Sequence, residues 1–171
     1  MFKSGELIYY GKTGVCEVVD VVARTNKSAG GSDLYYQLKP FYQSCSISVP
    51  VNNDKIYIRK IITKDEVYSL FDAISDMDDS AFYCSNLNQL KDHYRQIIDS
   101  RDNYELMRLI LSVKRKKKEV MANKKKLGAV DDKFLRDAEG LLYGEIAAVL
   151  GIDKNEVEGY ISQYLDGKKI E

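Results

Sequence analysis

A chain of 171 residues with 26 basic and 26 acidic side chains carries no formal net charge, so its overall electrostatics imply no polyanionic partner. Its hydrophobic fraction of 44% and charged fraction of 30% are those of a globular chain able to bury a core, as one domain or as two small ones. Cys16, Cys45 and Cys84 lack the spacing of a disulfide framework or zinc knuckle, MFKSGELIYY has no signal-peptide pattern, and no apolar run approaches the roughly 20 residues of a membrane span, so a reducing cytoplasm is the expected location.

Strand signals fill residues 1–62. Leu7–Tyr10 runs into the turn Gly11-Lys12-Thr13-Gly14 and then into Val15–Val22, where apolar and β-branched residues dominate. Gly30-Gly31 breaks the chain before Leu34–Leu38. Cys45–Val49 and a segment around Ile56-Tyr57-Ile58 come next, on either side of a Val-Pro-Val-Asn-Asn turn. About five short strands with no helix between them predict a small antiparallel barrel.

Helices take over at Thr63. Thr63-Lys64-Asp65-Glu66 is a capping box, in which a hydroxyl and a glutamate answer each other's free main-chain N–H groups. Val67, Leu70, Phe71 and Ile74 then form one apolar stripe. The polar stretch Ser75–Ser80 reads as a linker, so the chain divides into a barrel (1–62), a helix with linker (63–80) and a helical domain (81–171), an α+β organisation. Within the last part, Leu87, Leu90, Tyr94 and Ile97-Ile98 have helical spacing. A longer helix starts near Asp102, carries Leu106, Leu109-Ile110 and Val113, and is expected to stop at Leu127-Gly128. Phe134 to Leu150 makes the next helix, stopped by Gly151. Asp153 and Glu156 cap the last.

Most candidate chemistry fails on context. Gly11-Lys12-Thr13 has the GKT of a phosphate-binding loop, but Glu6 stands where the first glycine is needed, and strands rather than a helix flank it. His93, the only histidine, has no sequence sign of a nucleophilic partner. Asp78-Asp79 and Asp131-Asp132 fit linkers and helix starts. No enzyme, cofactor or metal is expected. The remaining signal is the run KRKKKEVMANKKK over Lys114–Lys126, with Glu119 its only acid, which is either a solvated helix face or a polyanion contact.

The order of these blocks resembles the CarD/CdnL family of bacterial RNA polymerase-binding transcription regulators. The resemblance rests on Phe2-Lys3-Ser4-Gly5-Glu6-Leu7-Ile8-Tyr9, Gly14-Val15, Tyr35-Tyr36-Gln37-Leu38, Val49-Pro50-Val51-Asn52-Asn53, Ile58-Arg59 and Ile62–Val67. In the helical half it rests on Ser100-Arg101-Asp102 and Leu141–Ala147. It implies a Tudor-like barrel that docks on the polymerase β subunit and a helical domain that contacts upstream promoter DNA without reading sequence, in a protein that modulates open-complex stability; a monomer is the expected state, and the sequence leaves dimerisation open. The transcription-repair coupling factor shares the barrel type, and this chain shows no helicase motor.

On that resemblance, the barrel edge Ile47-Ser48-Val49 would accept a polymerase strand and Arg24 would pair with an acidic group on the partner. Lys91, Arg95, Lys114, Arg115, Lys118 and Lys133 would face DNA phosphates. Helical phase puts Val113, Lys117 and Val120 on the buried side of their helix and leaves Lys114, Arg115 and Lys118 outside. Two departures stand out. Ser48 replaces a residue that is often basic in the family, and the chain has no Trp where the family commonly wedges one against melted DNA, so Phe82 or Tyr83 takes that role. The alternatives are a polymerase-bound adaptor without DNA contact and a nucleotide-dependent enzyme using Gly11-Lys12-Thr13.

Overall fold

The computed structural model describes residues 1–26 and 31–168; Gly30 of the expected Gly30-Gly31 break lies outside them. The chain forms two compact units, Met1–Ile62 and Thr63–Glu171.

The first unit is a five-stranded antiparallel sheet of β1 (Leu7–Tyr10), β2 (Gly14–Asn26), β3 (Gly31–Pro40), β4 (Ile47–Pro50) and β5 (Ile58–Lys60), in the order β4-β3-β2-β1-β5. Alternation sends Ile8, Tyr10, Cys16, Val18, Tyr36, Leu38 and Val49 to one face, where they form the core, with Phe2, Ile47, Val51 and Ile58 packed against it. A bulge between Val18 and Asp20 leaves Val19 exposed and keeps Val18 inside.

The sheet does not close into the expected barrel: among the described residues β4 and β5 are its two edges. The physical reason is the shortness of both. The three positions of β5 pair with Tyr10, Tyr9 and Ile8 of β1, and Pro50 ends β4 without an N–H to offer a further strand.

Gly11-Lys12-Thr13 is the turn between β1 and β2. Gly11 and Gly14 have φ of +46° and +83°, and a Cβ on Gly11 would meet Ile56 Cγ2 at 2.9 Å. The glycines serve the turn and the close approach of the 51–57 segment. The turn leads into a strand, so the helix dipole that a phosphate loop needs is missing there.

Among the described residues the second unit has five α-helices: α1 (Lys64–Ala73), α2 (Leu87–Ser100), α3 (Asn103–Ala122), α4 (Ala129–Leu150) and α5 (Val157–Lys168). The Thr63–Glu66 capping box opens α1 with both reciprocal bonds in place, and Asn86 and Asp102 cap α2 and α3. Phe71, Tyr94, Leu106, Ile110, Leu142 and Ile146 are fully buried. The Ser75–Ser80 stretch lies within this unit; Met77 is buried, and the Ser80 carbonyl accepts from Ser112 Oγ at 2.7 Å. Tyr68, Phe71, Tyr160 and Tyr164 bring α1 and α5 together, with the Tyr68 and Tyr160 hydroxyls 2.9 Å apart.

Helix α3 ends at Ala122 rather than at Leu127-Gly128. Lys124 takes the left-handed conformation (φ +57°), its N–H bonds the Met121 carbonyl and that of Lys125 bonds Val120, which satisfies the terminal carbonyls without a glycine. Gly128 instead precedes the first turn of α4. Cys16 is buried, and burial, with Cys45 adding, pushes its thiol up to about 11; Cys45 is exposed and Cys84 half-buried.

Candidate interaction surfaces

The first surface is the free side of β4. Ile47–Pro50 pairs with Leu38–Tyr35 of β3. The Val51 N–H donates to the Leu34 carbonyl at 2.8 Å. An antiparallel ladder alternates, so Ile47 and Val49 turn their main-chain groups toward β3 while Ser48 and Pro50 turn theirs outward. Ser48 therefore offers an N–H and a C=O, and Pro50 a C=O, to any strand laid beside them. Side chains alternate too: Val49 is buried, Ile47 half-buried and Ser48 exposed, where its hydroxyl accepts from Gln37 Nε2 at 2.9 Å.

Arg24 lies on β2 opposite Asp33, exposed, with its guanidinium 5.2 Å from the centre of the Tyr35 ring. Tyr35 is itself opposite Pro50 of β4. The structure thus puts Arg24 two strands from the edge, on a stacking residue that touches the edge register.

The second surface belongs to the helical unit, and its cations divide into two groups. Lys114 is half-buried and forms ion pairs with Glu139 (3.1 Å) and Glu158 (2.5 Å). Burial opposes its charge, but those carboxylates and the neighbouring Tyr143 outweigh burial and hold it well above the ordinary lysine range. Arg115 is held by Asp79 at 2.6 Å, which raises its affinity for its proton further. Lys116, not Lys117, is the buried member of the run: its Nζ sits 2.9 Å from Asp131 Oδ1, with both side chains under a tenth exposed. Leu109, Ile110 and Val113 make positions 116 and 117 both compatible with the inner face, and Asp131 on α4 selects the first.

Lys118 is exposed and makes no ion pair among the described residues, and the same holds for Lys117, Lys124, Lys125 and Lys126 around the α3–α4 corner. Arg95 and Lys133 are exposed and pair only along their own helices, with Asp92 at 3.3 Å and Asp137 at 2.6 Å, contacts weak enough to be exchanged for a phosphate. Lys91 is half-buried on α2. Helical phase alone thus misassigned Lys117 as the buried member in place of Lys116; Arg115 is exposed as expected and Lys114 half-buried, but both are paired with acids that the phase does not show. The corner lysines lay in the basic run, but their freedom from acidic neighbours could not be read from it.

Phe82 and Tyr83, the aromatic residues expected in place of the Trp, are held differently. Phe82 stacks on His93 at 3.9 Å between ring centres and borders a cavity of about 160 Å³ that also reaches Tyr94, Arg108 and Ser112. Burial, with Arg108 nearby, lowers the His93 pKa and favours the neutral ring in this stack. Tyr83 is 57% exposed; its ring lies 4.9 Å from Lys116 Nζ, and its hydroxyl donates to Glu119 at 2.5 Å. Beneath it, Asp131 Oδ1 also accepts from Tyr94 Oη at 2.5 Å. Burial and this carboxylate push the Tyr94 hydroxyl far above its ordinary range. Tyr83 therefore rests on a polar cluster that draws on α2, α3 and α4.

Among the described residues no cluster of His, Cys, Asp or Glu could hold a metal ion, and no helix is long and apolar enough to cross a membrane. Residues 2–62 match the family model described as CarD-like/TRCF RID domain, the RNA polymerase-interacting domain found in CarD/CdnL proteins. The match covers the sheet unit and ends where the helical unit begins. A search of curated proteins returns no match to the chain.

Proposed function

We propose, from the RNA polymerase-interacting domain over residues 2–62, that this chain is a non-catalytic transcription regulator that docks on the polymerase β subunit through β4 and lays its helical unit along upstream promoter DNA. The observation that carries the docking half is the free edge of β4 within that domain, with the main-chain groups of Ser48 and Pro50 turned outward. Strand addition supplies affinity through main-chain bonds, which is why Ser48 serves as well as a basic residue for pairing while giving up a charge contact. Arg24 supplies a charge contact to an acidic group of the same partner. The Tudor-type barrel of the resemblance is completed, in this reading, when the partner strand covers β4.

For the DNA half, the cations that serve are those without a fixed internal partner. Lys118 and Lys133 remain from the expected set, with Lys91 and Arg95 on α2, and Lys117, Lys124, Lys125 and Lys126 join them. Lys114 and Arg115 shape the surface through their acidic partners instead. Tyr83 is the better candidate to press on a base at the edge of melted DNA, because it is more exposed than Phe82 and rests on Lys116. Such binding positions the protein without reading sequence.

The test is capture of purified RNA polymerase by the full chain and by Ser48→Pro. That substitution removes an outward N–H and no main-chain bond to β3, giving up only the exposed side-chain contact with Gln37. Loss of capture with unchanged thermal unfolding supports β4 docking; full capture by the variant refutes it.

A further inference from the structure

Because β4 and β5 do not pair, the seam between them opens onto the core. A groove of about 820 Å³ lies there, with Leu34, Val51, Ile56 and Ile58 in its apolar lining and Asp33, Asn52 and Asn53 in its polar lining. Its floor is built by side chains that pack on the sheet's own core, including Val51 and Ile58. Its rim includes two exposed aliphatic residues, Leu34 at 42% and Ile56 at 36%. The groove begins where β4 ends, and that continuity constrains what covers it.

A strand laid beside β4 faces the outward main chain of Ser48 and Pro50. Directly opposed residues share a face, so every second side chain of the added strand points to the side where Val49 is buried. Main-chain pairing fails past Pro50, which has no N–H, and the added chain there is held by side chains alone. The next inward side chain then lies over the seam, above Val51, Ile56 and Ile58.

We infer that the groove is a side-chain pocket for the polymerase segment that pairs with β4, and that it selects a segment with apolar residues at alternate positions, the last a large aliphatic or aromatic residue seated between Leu34 and Ile56. This rests on the β4 docking reading and adds to it the source of specificity. Edge pairing is nearly blind to side chains, whereas burying one apolar side chain in a preformed pocket discriminates against a polar one.

The experiment measures binding of the full chain to purified RNA polymerase for wild type, Ile56→Glu, Leu34→Glu and Ser48→Pro, with thermal unfolding of each. A photoreactive side chain at position 56 reports contact independently of affinity. The expected result is weakening of about tenfold or more for Ile56→Glu and Leu34→Glu, with native unfolding temperatures, and a crosslink from position 56 to the β subunit. If Ser48→Pro abolishes binding while both glutamate variants bind as wild type and position 56 gives no crosslink, the pocket is refuted and the docking edge stands. If none of the three variants affects binding, the docking edge itself is refuted, and the pocket with it. Should Ile56→Glu unfold, Leu34→Glu and the crosslink decide.

Discussion

Lys116 is the residue on which the helical unit's polar interior turns. Its ammonium and the Tyr94 hydroxyl share one oxygen of Asp131, and the Tyr83 ring covers it from outside. Removing one member of such a set strands a buried charge, whereas replacing the whole set with apolar residues does not. Lys116→Met is expected to cost about 3–5 kcal/mol in urea unfolding, and the triple variant Lys116→Met, Asp131→Leu, Tyr94→Phe to recover most of that loss. A single variant as stable as wild type would show that Asp131 is not a buried anion dependent on Lys116. Lysine-rich composition made this run visible, but a buried lysine looks the same in a sequence as an exposed one. The difference lies in Asp131, fifteen residues away on another helix.

At the scale of elements, local chemistry was legible and long-range pairing was not. The Thr63–Glu66 box and the Gly151 stop are written in neighbouring residues, and both helix ends form where that chemistry puts them. The end of α3 escaped because a lysine, Lys124, takes the conformation that usually marks a glycine. Barrel closure escaped because strand alternation states which face is buried and not whether the two edge strands, β4 and β5, meet. The proposed DNA surface could be located only in outline: composition marked the basic helix, and ion pairs from α4, α5 and the 78–80 stretch decide which of its cations remain available. Thr63→Ala removes the side-chain half of the capping box and is expected to lower stability by about 1 kcal/mol in denaturant unfolding, with polymerase capture unchanged. Equal stability would mean that Glu66 alone holds the helix start.

For the whole molecule, zero net charge conceals a division of labour. Many of the helical unit's basic groups are spent on internal acids, and the cations left over gather at the α3–α4 corner. Binding to duplex DNA is therefore expected to be weak, on the order of 10⁻⁴–10⁻⁶ M at physiological salt, and to fall with added salt. Converting Lys124, Lys125 and Lys126 to glutamine should flatten the plot of log affinity against log salt by up to about 0.9 per lost phosphate contact, as read by fluorescence anisotropy. An unchanged slope would move the DNA surface away from this corner. Lys114→Gln, by contrast, leaves Glu139 and Glu158 unpaired and is expected to act on stability before it acts on DNA.

The burial of Cys16 leaves the molecule with one accessible thiol in each unit, Cys45 beside the edge strand and Cys84 directly after Tyr83. At neutral pH the buried thiol stays protonated and shielded, so a maleimide dye distinguishes it from the other two without mutagenesis. The native chain is thereby ready for energy-transfer spectroscopy: a donor and an acceptor, one on each unit, turn any rearrangement of sheet against helices on addition of RNA polymerase or duplex DNA into a change in colour.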